Sequence, residues 1–376
     1  MQVYWIWLSK LTGLNFRQKY DLYCYYGSPK AVFEAGLEVG YHFSGLSEKG
    51  LKALGRQDLT EAYEIIRNCQ RLGVRILTWS DEAYSMFLAG IDDPPFVLYV
   101  LGTIPQWNKL PCVGIVGTRR ASPYGLQMAR RIGAEVAAGG GVVVSGCADG
   151  VDTASMAAAM EQGMPVLGVL GCGIDVVYPA KNRAFFKEVI ARGCLISEYE
   201  PGLSPLPYRF VARNRLINGF SQATVVVEAP EKSGALITAR HAVEQHRLLY
   251  AVPGSVNNPV CAGSNDLLRH GARVAFCGGD VLKAVLESYN QLSPIVLDKK
   301  PIDKPENTHY IGKENKLPAL KPDEQLVYEK LTEKGVLIDS LVGVGGMDIT
   351  RALVAISGLE CKRLAERCPG SKVRLK

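Results

Sequence analysis

Six short apolar runs, CVGIVG, GVVVSG, PVLGVLG, GCLISE, ATVVVEA and LLYAVPG, alternate with stretches such as GLQMARRIGAEVAA, DTASMAAAMEQG, NRAFFKEVIARG and ALITARHAVEQH. Runs that are apolar at consecutive positions bury both of their faces, and the helical segments between them supply the two covers. This pattern predicts an α/β fold, an extended Rossmann-like doubly wound sheet over residues 79–287. It leaves little room for any other architecture.

The flanks read differently. A chain of 376 residues exceeds one ordinary domain of roughly 150. Residues 1–78 read as short helices separated by glycines, with Ser28 and Ser47 as helix N-caps. The pairs Gly13-Leu14, Gly45-Leu46 and Gly50-Leu51 resemble a SAM-like, helix-hairpin-helix module, although plain helical packing explains them as well. Residues 288–320 are rich in Pro and Lys and read as a linker. Residues 321–376 follow the order of a winged helix, with DITRALVAISGLECKR as its third helix.

The net charge of +6 permits an anionic partner without requiring one, so the placement of basic residues matters more than their sum. Ten cysteines are scattered without a CxxC, as expected of free thiols. The apolar patch in MQVYWIWLSKLTGL is too short for a signal peptide, and no run approaches the roughly 20 residues of a membrane span. The expected compartment is the cytoplasm.

Ligands of a doubly wound sheet bind outside the carboxyl ends of its strands. The loop after the first run carries Gly117, Thr118, Arg119, Arg120 and Ser122, and the next carries Gly146 and Asp149. Later loops add Lys181, Arg183, Arg209, Phe210, Arg213, Asn214 and Arg215. A dinucleotide would need GxGxxG after the first strand and an acidic residue ending the second; GTRRASPYG and Val144-Ser145-Gly146 supply neither. There is no P-loop either. Arginines beside glycine turns suit a phosphate backbone, and Phe210 offers a face for a base. Catalytic sets are poor: His241 and His246 lie about 140° apart on a helix. Asp152 and Asp175, beside glycines, are expected to cap helices.

The stretches GTRRASPYG, SGCADGVD, LGCGIDVVYPAKNR, ISEYEPG, RNRLINGFS, VVVEAPEKSGALITA, YAVPG and GSNDLLRHGA stand in the order that resembles the DNA-processing protein A (DprA/Smf) family, over about residues 112–272. The resemblance implies a single-stranded-DNA-binding recombination mediator that protects incoming DNA in natural transformation and helps load the RecA recombinase. It implies a homodimer and no nucleotide cofactor. By motif, Arg119, Arg213, Asn214 and Arg215 would line the DNA pocket with Lys181 at its rim. Gly117, Thr118, Arg120, Ser122, Gly146, Phe210, Lys232, Ser233 and Gly234 would complete it. Met156 replaces a usual His, Val211 a usual Pro, and Lys181 a usual Glu.

Two other functions compete. VVVEAPEKSGALITARHAVE resembles the loop and helix of phosphoribohydrolases that split nucleoside monophosphates, though Pro230–Ala235 breaks their PGGxGTxxE signature; Glu244 would be the group to test. A transcription regulator would instead use Arg351, Lys362, Arg363, Arg367, Lys372, Arg374 and Lys376 on the winged helix.

Overall fold

The computed structural model describes residues 1–43, 45–292, 320, 322–332, 335–343, 347, 351–352, 355–356, 358–359, 364–368 and 372–375. They belong to two compact units, Met1–Gln291 and Leu292–Lys376.

The first unit opens with helices α1 (Gln2–Lys10), α2 (Phe16–Tyr26), α3 (Pro29–Ala35), α4 (Val39–His42), α5 (Glu48–Gly55) and α6 (Thr60–Leu72). Ser28 and Ser47 do cap α3 and α5, their hydroxyls accepting from Ala31 N and Gly50 N at 3.1 Å each. Asn15 and Gln18 close a capping box on α2. Trp5 and Phe16 from these helices stack on Phe96 with centroids 5.6 and 4.9 Å away, and Trp79 meets the same ring at 5.8 Å. Helices and sheet therefore share one core, and the first strand starts at Arg75, just before the expected domain boundary at residue 78.

That strand, β1 (Arg75–Thr78), precedes α7 (Met86–Ala89) and β2 (Val97–Gly102). The predicted alternation follows as β3 (Cys112–Val116), α8 (Pro123–Ala138), β4 (Val142–Ser145), α9 (Val151–Glu161), β5 (Val166–Leu170), α10 (Arg183–Arg192) and β6 (Cys194–Ser197). It continues with α11 (Pro207–Phe220), β7 (Ala223–Val226), α12 (Gly234–Glu244), β8 (Leu248–Ala251), α13 (Ala262–Arg269), β9 (Arg273–Val274) and α14 (Gly278–Leu292). The nine-stranded sheet runs β1-β2-β6-β5-β4-β3-β7-β8-β9. β1, β2 and β6 pair antiparallel, and all the other pairs are parallel. Strands β3, β4, β5 and β7 are buried throughout, as their unbroken apolar runs require. Helices α8 and α9 pack closely: a Cβ on Gly133 would come 2.3 Å from Ser155 O.

In the second unit α15 (Pro322–Tyr328) is followed by β10 (Val336–Leu337), β11 (Ala365–Cys368) and β12 (Lys372–Leu375), which form a three-stranded sheet in the order β10-β12-β11. Its own core includes Val327, Leu331, Ile356 and Val373. The expected linker falls largely on residues outside the described set, as does part of the expected third helix. α14 extends through the first linker residues to Leu292.

Candidate functional site

β3 has β4 on one side and β7 on the other, so the winding of the sheet reverses there. A crevice opens at such a switch point beyond the carboxyl ends of the strands. Here it is a cavity of about 390 Å³ bordered by Gly117, Thr118, Arg119 and Arg120 from the loop after β3. Phe210, Arg213 and Asn214 of α11 form another wall, and Lys232, Ser233 and Gly234 before α12 close it. Four basic side chains, Arg119, Arg120, Arg213 and Lys232, face a single lining carboxylate, Asp152.

The arginine loop is fastened from beneath by Glu228, two residues beyond the end of β7. Thr118 N donates to Glu228 O at 2.7 Å. Ser122 N and Oγ donate to the carboxylate at 2.8 and 2.6 Å. Ser122 also caps α8 by accepting from Gly125 N at 3.1 Å. It anchors the loop and does not line the cavity. Glu228 is fully buried and has no role on the sequence alone; its one signal is a carboxylate that follows an apolar run.

Arg119 and Arg120 are exposed. The Arg119 guanidinium lies 5.8 Å from the centre of the Phe210 ring, and that of Arg213 lies 5.9 Å from it. Tyr178 packs on the same ring at 5.3 Å. Arg213 is only 5% exposed. Its Nη1 donates to Gly146 O at 2.9 Å and to Val169 O, and its Nε to Asn214 Oδ1 at 3.3 Å. A Cβ on Gly146 would sit 2.6 Å from the guanidinium and would displace Arg213.

Asp152 corrects an expectation. It sits in the first turn of α9, but its Oδ2 accepts from Gly146 N at 3.1 Å and Ala148 N at 3.3 Å, so it braces the preceding loop rather than capping the helix. Burial raises its pKa to about 6, opposed by Arg213 and by these N–H groups. Burial in turn lowers the pKa of Arg213, and Asp152 counters it. Asp175 does not cap the next helix either; its Oδ1 accepts from Gly202 N at 2.7 Å.

The remaining basic residues part company. Lys181 is exposed and pairs with Asp149 at 2.9 Å. Arg209 lies over Tyr199 and Tyr208, and its Nη1 donates to Ser204 O at 2.6 Å. Arg183 is exposed at the start of α10. Arg215 does not join the cavity: its Nη2 donates to Glu198 at 2.7 Å and lies 3.6 Å from Asp93. One residue step of about 100° on a helix makes the two-residue separation from Arg213 a turn of about 200°. The RNR motif therefore serves two sides of α11.

This arrangement suits holding a phosphate more than breaking a bond. Burial pushes the Cys147 thiol far up and that of Cys172 to about 11, so neither is a thiolate nucleophile at neutral pH. Glu244 is half-exposed and hydrogen-bonded to His241, and neither borders the cavity. In the second unit Arg351 pairs with Asp323 and Arg374 with Glu366. Lys362, Arg363 and Lys376 lie outside the described residues. Among the described residues no helix is long and apolar enough to cross a membrane.

Residues 75–286 match the model of a family described as DNA recombination-mediator protein A. The chain is 31% identical over 338 residues to Protein Smf of Synechocystis, covering 85% of each. It is 36% identical to DNA processing protein DprA of Bacillus subtilis, covering 57% of this chain and 72% of that one. The X-ray structure of DNA processing protein A from Streptococcus pneumoniae is similar at a TM-score of 0.65 and 29% identity, over 75% of this chain and 98% of that one. A structure of the Helicobacter pylori protein, described for its single-stranded DNA binding mode, matches at a TM-score of 0.51 and 31% identity, over 57% of this chain and 97% of that one.

Proposed function

The chain belongs to the DNA recombination-mediator protein A family, and we propose that its switch-point cavity binds the backbone of single-stranded DNA. The observation that carries this reading is the imbalance of charge: four basic side chains border the cavity against one carboxylate. Arg119 meets a phosphate from the exposed side with its forked donors. Gly117 and Thr118 bring the backbone close, and Lys232, Ser233 and Gly234 line the opposite wall beside the start of α12. Phe210, near the guanidinium groups of Arg119 and Arg213 and packed against Tyr178, offers a face on which a base stacks. The Helicobacter pylori relative, described for its single-stranded DNA binding mode, supports the choice of strand.

On this reading the protein is a recombination mediator rather than an enzyme. It protects incoming DNA and helps load RecA in natural transformation, acting in the cytoplasm as a homodimer; family membership is what supports this wider role. The second unit is a winged helix, a reading supported by α15 and the antiparallel β11–β12 hairpin.

The test is a salt-titrated comparison of single-stranded DNA, duplex DNA and AMP. Tightest binding to the single strand, falling linearly in log affinity with log salt, is expected. Robust release of the nucleobase from AMP, or preference for a specific duplex, contradicts the proposal.

A further inference from the structure

We propose that the strand held at the switch point continues into a second nucleotide subsite, the groove of about 540 Å³ between α8 and α9, where Lys181 takes a phosphate in exchange for Asp149. The inference rests on the single-strand reading above.

Three observations carry it. The first is continuity. Arg119 borders the switch-point cavity, a smaller space of about 200 Å³ against Phe210 and Tyr178, and this outer groove. Asp149 borders the last two. A strand that passes Arg119 and stacks on Phe210 therefore has the groove as the next space beside it.

The second is charge. Arg119, Arg120, Arg130 and Lys181 line the groove with Asp149 as its lining carboxylate. Arg130 is already held by both oxygens of Glu161 at 2.8 and 2.7 Å. Lys181 is held by an ion pair whose lysine side chain is 71% exposed. An exposed pair of this kind contributes little and exchanges readily. A phosphodiester presents the ammonium with the same oxygen chemistry as the carboxylate it displaces, and it brings the counterion release that drives binding to nucleic acids.

The third is the floor. Ala154, Ala157 and Leu126 leave it apolar and shallow, and the half-buried Phe185 ring lies at the Lys181 end. A sugar and base fit such a surface.

The experiment measures binding of the full chain to labelled oligothymidylates of about 6 and about 20 nucleotides, lengths bracketing a short and a long single-strand site. Lys181→Ala is expected to weaken the long strand about two- to fivefold. It should also flatten the long strand's salt slope by about 0.7, with a smaller loss on the short strand. Asp149→Asn should tighten the long strand by a similar factor, and that gain should vanish when Lys181→Ala is added. Equal losses on both lengths, or an unchanged long-strand affinity in Lys181→Ala, overturn the subsite. Arg119→Ala separates the two claims. If it weakens both lengths the switch-point reading stands whatever Lys181 does, and if it changes neither, that reading itself fails and takes the subsite with it.

Discussion

Helix α11 divides two cavities that contain the same number of cations and do opposite things with them. On the switch-point side, Arg119, Arg120, Arg213 and Lys232 meet one carboxylate. On the other, a space of about 650 Å³ places Lys10, Arg17, Lys19 and Arg215 among Asp92, Asp93, Glu198 and Glu200. Lys10 there bonds Glu61 and Glu200 at 2.8 and 2.6 Å, Arg17 bonds Asp21 at 3.1 Å, and Arg215 bonds Glu198. Even Lys19, which donates to Ser9 O at 2.7 Å, is committed within the chain, and burial lowers its pKa to about 8. Counting arginines does not find an anion site. What matters is whether their donors are already committed to acceptors of the chain.

The comparison is broken most forcefully at Arg215. Glu198 beside it is 14% exposed, and Arg215→Ala leaves that carboxylate without its cation. A loss of about 2–4 kcal/mol in urea unfolding is expected, a little below the value for a fully buried pair. The folded fraction should bind single-stranded DNA as before; a large loss of affinity there would place Arg215 in the binding site after all. Arg119→Ala is the mirror case, with unchanged stability and an affinity loss of about 1.5 kcal/mol, roughly tenfold, from one charged phosphate interaction. Arg213 belongs to neither extreme. Its guanidinium is buried on two carbonyls, so Arg213→Ala should lose both affinity and stability.

Phe210→Ala sharpens the division within the site. A loss of about 1 kcal/mol is expected from one unstacked base, with the salt slope unchanged because the ring neutralises no phosphate. The smallest effect concerns pH. The folded pKa of Asp152, about 6, lies above its ordinary 3.8. Its contribution to stability is therefore present below about pH 4 and lost as pH rises through 6. Protonation also removes the carboxylate beside Arg213, so single-strand affinity should rise on the order of threefold between pH 7 and pH 5. Asp152→Asn should abolish both trends.

Much of this was legible in the chain. The apolar runs dictated a parallel sheet because residues buried on both faces have no other stable arrangement, and the loops after those runs contained the arginines, the glycines and Phe210. The split between Arg213 and Arg215 was harder to see, since the motif RNR reads as one cluster until the turn of α11 separates its ends. By position alone Ser122 looks like a site residue and Asp152 like a helix cap. Their hydrogen bonds run inward, to Glu228 and to Gly146 and Ala148, because the loops must satisfy buried N–H groups before they can present anything to a ligand. That demand is tertiary, and no local pattern announces it.

The central claim is that uncommitted guanidinium donors at the switch point hold DNA phosphate. The measurement that addresses it most directly is the salt dependence of single-strand affinity for the wild-type chain and for Arg119→Ala. The account predicts a slope of log affinity against log salt flatter by about 0.7 in the variant, because an intact fold then neutralises one phosphate fewer. An unchanged slope and affinity, with circular dichroism showing the same fold, would contradict it.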